Sequence, residues 1–230
     1  MSNPDELSSW LATIPEEWID GCSPSVFDRA RVEYESPPRR YHTWQHVEAC
    51  VGELSSFACE HPRTIFLALV FHDAIYVAGR SDNEAKSAEV ARAVLSAESS
   101  ISATELDAID AMIRATSDHL AHAATSDRDL AVMLDIDLGI LGASRDDYAR
   151  YAQAIHDEYV PSATSDARFR LGRLEFLERT LASPKLFITR EASERWDARA
   201  RENIAWEIEQ LRDEQGVVER AVSALRRHGG

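Results

Sequence analysis

Histidine and aspartate residues occur in this chain at spacings that could hold a metal ion. His42 and His46 are four residues apart, so on a helix and its first turn they face the same side and can converge on one ion. His72 and Asp73 end the most apolar segment of the chain, TIFLALVFHDAIY at 64–76. Because a buried carboxylate is costly unless it meets a cation or hydrogen-bond donors, a metal ion would satisfy Asp73.

Two more aspartates could complete such a site. Asp135 and Asp137 lie in a second apolar run, MLDIDLGIL at 133–141, on either side of Ile136. We expect one of them to point inward, and residue type does not decide which. Imidazole and carboxylate ligands together suit a divalent transition metal (Mn, Fe, Co, Ni or Zn) better than calcium, and Mg is also an option. An octahedral ion with two His and two Asp ligands keeps positions for a substrate oxygen and an acidified water.

The segments that must position these residues have the pattern of helices. Apolar residues recur at three-and-four spacing between only 9 Gly and 8 Pro, and strand-like alternation is scarce. No repeat or linker divides the chain, so the sequence predicts an all-α fold and one domain over residues 1–230. The expected helices cover residues 10–14, 26–34, 43–61, 64–76, 83–95, 103–113, 127–141, 146–159, 167–181 and 191–215.

Composition narrows the classes of function. Forty acidic and 25 basic residues give a formal net charge of -15, which disfavours nucleic acid and anionic membranes and favours a small-molecule substrate. The 3 cysteines are odd in number and form no CxxC pair, so we expect no disulfide framework and a cytoplasmic location. No signal-peptide pattern or membrane-spanning run is present in the sequence. The apolar residues of several helices would allow a homodimer.

The order His, His-Asp, Asp resembles the ligand order of the HD phosphohydrolase superfamily. The resemblance is to a bacterial group of predicted metal-dependent HD phosphohydrolases, and four segments carry it: RRYHTWQHV (39–47), ALVFHDAIY (68–76), DNEAKSA (82–88) and LDIDLGILG (134–142). It implies an HD-domain helical bundle with terminal helical extensions, a catalytic core over about 39–142, and helices of 143–230 packed on that core. It also implies that the metal ligands are His46, His72, Asp73 and Asp137.

The YHxxxH run at 41–46 is also similar to the start of the cyclic-nucleotide phosphodiesterase catalytic core. There the first histidine lies beside the leaving group and the second binds metal, which implies that His42 is a general acid. Thr43 stands where those enzymes have asparagine. The two resemblances together predict hydrolysis of a small phosphate ester, such as a nucleotide, by metal-activated water. Asp73 would bind the metal and accept the proton of that water.

Further polar residues in or near these segments are candidates for substrate binding. An arginine can bind phosphate oxygens through its forked donors. The alternative interpretation is surface solvation for the arginines and helix capping for the residues near 83–86. The candidates are Arg40, Asn83, Glu84, Lys86, Arg114 and His119.

Two other functions remain open at this level. One is a di-iron oxygenase like the HD proteins of the myo-inositol oxygenase type, which would need additional ligands such as His119 or His122. The other is a non-catalytic protein that binds a ligand or regulates a partner and keeps a metal for folding alone.

Overall fold

The computed structural model describes residues 4–36 and 39–228, with side chains over 6–36 and 39–213. These residues form helices and no strand, which confirms the predicted all-α fold class. The α-helices are α1 (Pro4–Leu11), α2 (Glu16–Ile19), α3 (Pro24–Tyr34), α4 (Trp44–Leu54), α5 (Pro62–Phe71), α6 (Asn83–Leu95), α7 (Ala103–Ala115), α8 (Arg128–Asp137), α9 (Arg145–Tyr159), α10 (Asp166–Ala182), α11 (Arg190–Ala192) and α12 (Ala198–His228). Two 3-10 segments (Thr116–His122 and Leu138–Gly142) follow α7 and α8, and a π-helical turn (Ser193–Asp197) joins α11 to α12.

Helix α5 is buried on all sides. Every residue from Thr64 to Phe71 is buried, and the helix contacts α2, α4, α7 and α8. A helix that is apolar around its whole circumference belongs in the interior, so the composition of this segment explains its central position. Pro62 lies in the first turn, where its missing N–H removes no helical hydrogen bond. His72 and Asp73 directly follow α5, so the central helix fixes their position.

Some helix ends differ from the predicted ones. Helices α4 and α5 end earlier than expected, at Leu54 and Phe71. The helix expected over 127–141 changes to 3-10 geometry after Asp137. Helical periodicity in the sequence extends past these ends because residues of the following turns, such as Phe57, are also buried in the core.

The 3-10 segment after α8 packs closely on the π-helical turn. A Cβ atom added at Gly142 would lie 2.4 Å from Cβ of Trp196 and 2.8 Å from its Cα, so this approach requires glycine. The side-chain amide of Asn203, on α12, donates to the carbonyl groups of Leu141 (2.8 Å) and Ala143 (3.0 Å). These contacts fix the chain directly after Asp137.

Helices α9, α10 and α12 share a buried ion pair. The carboxylate of Glu207 accepts hydrogen bonds from Arg173 Nε (2.8 Å), Arg173 Nη2 (3.0 Å) and the Tyr148 hydroxyl (2.5 Å). Because a buried charge is stable only with a partner, this network holds α9, α10 and α12 together.

Among the described helices, none has both the length and the apolar character needed to cross a membrane.

Candidate metal centre

Three side chains from different helices meet at one point. His46 comes from the first turn of α4, His72 follows α5, and Asp137 ends α8. Nε2 of His46 lies 3.2 Å from Nε2 of His72 and 3.1 Å from Oδ1 of Asp137, and the His72 and Asp137 atoms are 3.4 Å apart. This group could hold a metal ion.

Asp73 lies beside the same group. Its Oδ2 is 3.0 Å from Nε2 of His72 and 3.8 Å from Nε2 of His46. The structure therefore brings together all four residues predicted as metal ligands, although they come from three separate parts of the sequence.

The spacing and chemistry of these atoms fit a divalent cation. Ligand bonds of about 2.1 Å place neighbouring ligand atoms about 3.0 Å apart in an octahedron and about 3.4 Å apart in a tetrahedron. The measured separations of 3.0 to 3.8 Å lie near these values. The carbonyl oxygen of Leu69 lies 2.8 Å from Nδ1 of His72 and can accept its proton, which leaves Nε2 with a free lone pair at the centre.

The charges at this point also favour a cation. Burial opposes ionisation of Asp73 and Asp137, but His72 and the other nearby histidines together outweigh burial and lower the pKa of both carboxyl groups below the usual range. Burial also opposes a positive charge on His72, yet Asp73 and Asp137 together raise the pKa of His72 well above the ordinary value. Two buried carboxylates thus require positive charge, which His72 supplies when protonated and a metal ion could supply instead.

Asp135 has a different environment from Asp137. Its carboxylate accepts the backbone N–H of Ile188 at 2.6 Å and of Thr189 at 2.7 Å, and only 1% of the residue is exposed. Asp135 therefore joins α8 to the segment before α11, and Asp137 is the aspartate directed toward the histidines.

His42 is held by Glu158, a residue that the sequence did not single out. Oε1 of Glu158 lies 2.5 Å from Nδ1 of His42, and Oε2 accepts the backbone N–H groups of Arg40 (2.7 Å), Tyr41 (3.0 Å) and His42 (3.2 Å). Burial raises the pKa of the Glu158 carboxyl, but His42 and these N–H groups outweigh it, so the net shift is downward. The Nδ1–H of His42 donates to this carboxylate, which leaves Nε2 as the nitrogen available to the cavity.

A signal for Glu158 was present in the sequence. Tyr148, Tyr151, Ile155 and Glu158 recur at three-and-four spacing and share one face of α9, where a lone carboxylate among apolar residues indicates a buried polar partner. That partner, His42, lies 116 residues away in the sequence, so periodicity alone does not identify it.

Arg39 connects the loop of His42 to the turn of Asp73. Its guanidinium donates to the carbonyl oxygens of His42 (3.0 Å), Asp73 (2.7 Å) and Ala74 (2.6 Å). The residue is buried, and burial lowers the pKa of its guanidinium despite the nearby Tyr34 and Asp73. The neighbouring Arg40 is the arginine predicted to bind substrate, because a loop has no periodicity to show which of two adjacent arginines points inward.

A cavity of about 630 Å³ opens onto these groups. His42, Asp73, His119 and Asp137 line it, so the two carboxylates beside His46 and His72 are accessible from the same space as His42. The rest of the wall is rich in aromatic residues from α9, α10 and the loop after α5: Tyr76, Tyr151, Tyr159, Phe169 and Phe176. The ring of Tyr76 stacks on His42 with centroids 3.6 Å apart.

The residues predicted to bind substrate divide into two groups. Glu84 and His119 line the cavity, and Nε2 of His119 lies 2.9 Å from Oδ2 of Asp137. The side chains of four others do not line it. Arg40 is exposed, Arg114 pairs with Asp110 (2.7 Å), Lys86 pairs with Glu89 (2.8 Å), and Asn83 bonds the backbone N–H (3.0 Å) and carbonyl (3.1 Å) of Val77.

In comparisons with known proteins, no family profile matches the chain, and no curated protein or solved structure is significantly similar to it. The likeness to HD phosphohydrolases therefore rests on the four sequence segments.

Proposed function

We propose that this protein is a divalent-metal-dependent hydrolase of small phosphate esters and that it is related to the HD phosphohydrolases. The observation that carries the proposal is the grouping of His46, His72 and Asp137, with Asp73 beside His72, next to a cavity that Asp73, Asp137 and His42 line. Phosphate esters are the substrate class that the sequence resemblance implies.

When bound, a divalent cation supplies a Lewis acid that polarises a phosphoryl oxygen and makes water more acidic. Asp73 lies at the cavity surface, where its carboxylate can accept a proton from the attacking water. Nε2 of His42 can donate a proton to the departing oxygen. Glu158 fixes the ring for this transfer because it holds Nδ1, and the stacked Tyr76 restricts rotation of the imidazole.

The test combines elemental analysis of the purified protein with a panel of phosphate monoesters and diesters under Mn, Co, Ni and Mg. We expect about one bound ion per chain and hydrolysis that a chelator abolishes and added metal restores. His42→Gln should lower the rate far more for alkyl phosphates than for 4-nitrophenyl phosphate, whose leaving group needs no proton. A metal-free protein that hydrolyses none of these esters would contradict the proposal.

A di-iron oxygenase is the second candidate, and the contact between His119 and Asp137 favours it. Oδ2 of Asp137 lies near His119 while Oδ1 lies near His46 and His72, so Asp137 together with His119 could hold a second ion. Two iron ions per chain together with oxygen consumption would support this candidate over phosphate-ester hydrolysis.

A further inference from the structure

Three arginines of α10 line the cavity, and only one of them has a partner among the described residues. Arg173 is held by Glu207 and also donates to the Tyr151 hydroxyl at 3.3 Å. Arg168 and Arg179 are exposed at the cavity wall and form no hydrogen bond or ion pair with any residue that the structure describes. Two guanidinium groups are thus available to a ligand in the cavity.

Such arginines are uncommon among the residues whose side chains the structure describes. Acidic residues outnumber basic ones 40 to 25, and most described arginines pair with a carboxylate, as Arg31, Arg80, Arg128 and Arg195 do. The cationic side chains with neither an ion pair nor a hydrogen bond in the described ranges are Arg29, Arg40, Arg168, Arg179, Lys185 and Arg199. Of these six, Arg168 and Arg179 line the cavity, so an anion in that space meets two guanidinium groups without a bonded partner.

Arg168 directly precedes the residue that connects α10 to His42 through aromatic contacts. The residue after it, Phe169, packs on Tyr159 with ring centroids 5.7 Å apart, and the Tyr159 hydroxyl lies 3.1 Å from that of Tyr76. Tyr76 in turn stacks on His42. Arg179 is eleven residues further along α10, or roughly 16 Å along the helix axis.

We infer that the substrate's leaving group itself carries an anionic group, a carboxylate or a second phosphate, and that Arg168 binds it. The inference rests on the proposed phosphate-ester hydrolysis, in which His42 protonates the leaving oxygen. The leaving group then occupies the His42 side of the cavity, next to Tyr76, Tyr159 and Phe169. Arg168 adjoins Phe169 at this end of α10 and has no bonded partner among the described residues. The preferred substrates are therefore esters of phosphate with an anionic alcohol or phenol.

Calorimetric binding of phosphonates that cannot be hydrolysed tests this inference in the Mn-loaded protein. The probes are phenylphosphonate and 4-carboxyphenylphosphonate, with propylphosphonate and propane-1,3-bisphosphonate to distinguish a carboxylate from a phosphate. We expect at least one of the two probes with a second anionic group to bind about tenfold or more tightly than its matched simpler phosphonate, because that group can form a charge-assisted hydrogen bond. Arg168→Ala should abolish that preference and leave binding of the simpler phosphonates unchanged.

Arg29→Ala is the matched control. Like Arg168, Arg29 is exposed and forms no hydrogen bond or ion pair with a described residue, but it lies on α3, outside the cavity. The Arg29→Ala protein should still prefer the probe with the second anionic group. The inference is overturned if wild type binds no probe or shows no preference, if Arg168→Ala weakens both members of a pair equally, or if Arg179→Ala instead of Arg168→Ala removes the preference. Hydrolysis without a preference would reject the anion site alone, and a preference without hydrolysis would reject the hydrolase alone.

Discussion

Asp135 and Asp137 are two residues apart on α8, and their carboxylates contact different groups. Asp137 faces His46, His72 and His119, whereas Asp135 accepts two backbone N–H groups from the segment before α11. A side chain two positions along a helix points about 200° away, so the sequence DID at 135–137 directs one carboxylate to the cavity and the other to the backbone of the segment before α11.

This difference predicts that two conservative substitutions change different properties, metal affinity in one case and stability in the other. Asp137→Asn should lower metal affinity at least tenfold, because an amide is a poorer ligand for a divalent ion. Asp135→Asn should keep the metal but lower the free energy of unfolding by about 1–3 kcal/mol, since it weakens two buried hydrogen bonds. Elemental analysis after dialysis and urea unfolding measure the two effects, and a metal-free but fully stable Asp135→Asn protein would contradict the assignment.

Glu158→Gln should impair proton transfer more than substrate binding. The amide can accept some of the same hydrogen bonds, but it lacks the charge that holds Nδ1–H of His42. We expect kcat for an alkyl phosphate to fall about 100-fold with little change in KM, and a much smaller loss for 4-nitrophenyl phosphate.

The matched control is Asp157→Asn, one residue earlier on α9. Asp157 is close to half exposed and bonds His156 and Gln153, so its substitution should leave both rates near those of wild type. Equal losses on both substrates for Glu158→Gln would show a purely structural role for the carboxylate.

Two glycines should respond in opposite ways to alanine. Gly142→Ala places a Cβ atom 2.4 Å from Cβ of Trp196, so the 3-10 segment must shift, and we expect a loss of about 1–3 kcal/mol in the free energy of unfolding. Gly52 lies within α4 with nothing within 4 Å of an added Cβ, so Gly52→Ala should stabilise by about 0.5–1 kcal/mol. Urea unfolding of the two variants checks both signs.

The environment of His156, away from the candidate metal centre, predicts that the stability of the protein depends on pH. Partial burial disfavours its charge, but Asp166 (2.7 Å) and Asp157 (3.1 Å) outweigh this and raise its pKa. The folded state therefore holds the proton more tightly than the unfolded state. The added stability is fully present below the ordinary histidine pKa of about 6.5 and disappears as pH rises through the raised value.

His156→Gln should remove this contribution. Wild type should exceed the variant in stability at pH 5.5 by under about 1 kcal/mol, because the site is partly exposed, and this advantage should vanish at pH 8.5. Urea unfolding at several pH values provides the measurement. An advantage that grows with pH would have the wrong sign and reject the assignment.

The sequence predicts those parts of the structure that depend on local pattern. The apolar run around Phe66 predicts a buried helix, and Ser102 predicts a helix start, where its side chain accepts the N–H of Glu105 at 3.1 Å. Contacts between distant segments were not predictable in this way. The bond between Glu158 and His42 depends on how α9 packs against a loop more than 100 residues earlier, which no local pattern encodes.

The position of Glu158 on α9 divides the proposed chemistry between two stretches of the chain. A polypeptide that stopped at residue 142 would retain every side chain of the metal-binding group and lack the carboxylate that orients His42. The cavity wall formed by α10 would be lost with it. Replacement of the later helices would therefore change the orientation of His42 and the cavity wall while the residues that could hold a metal ion stay the same.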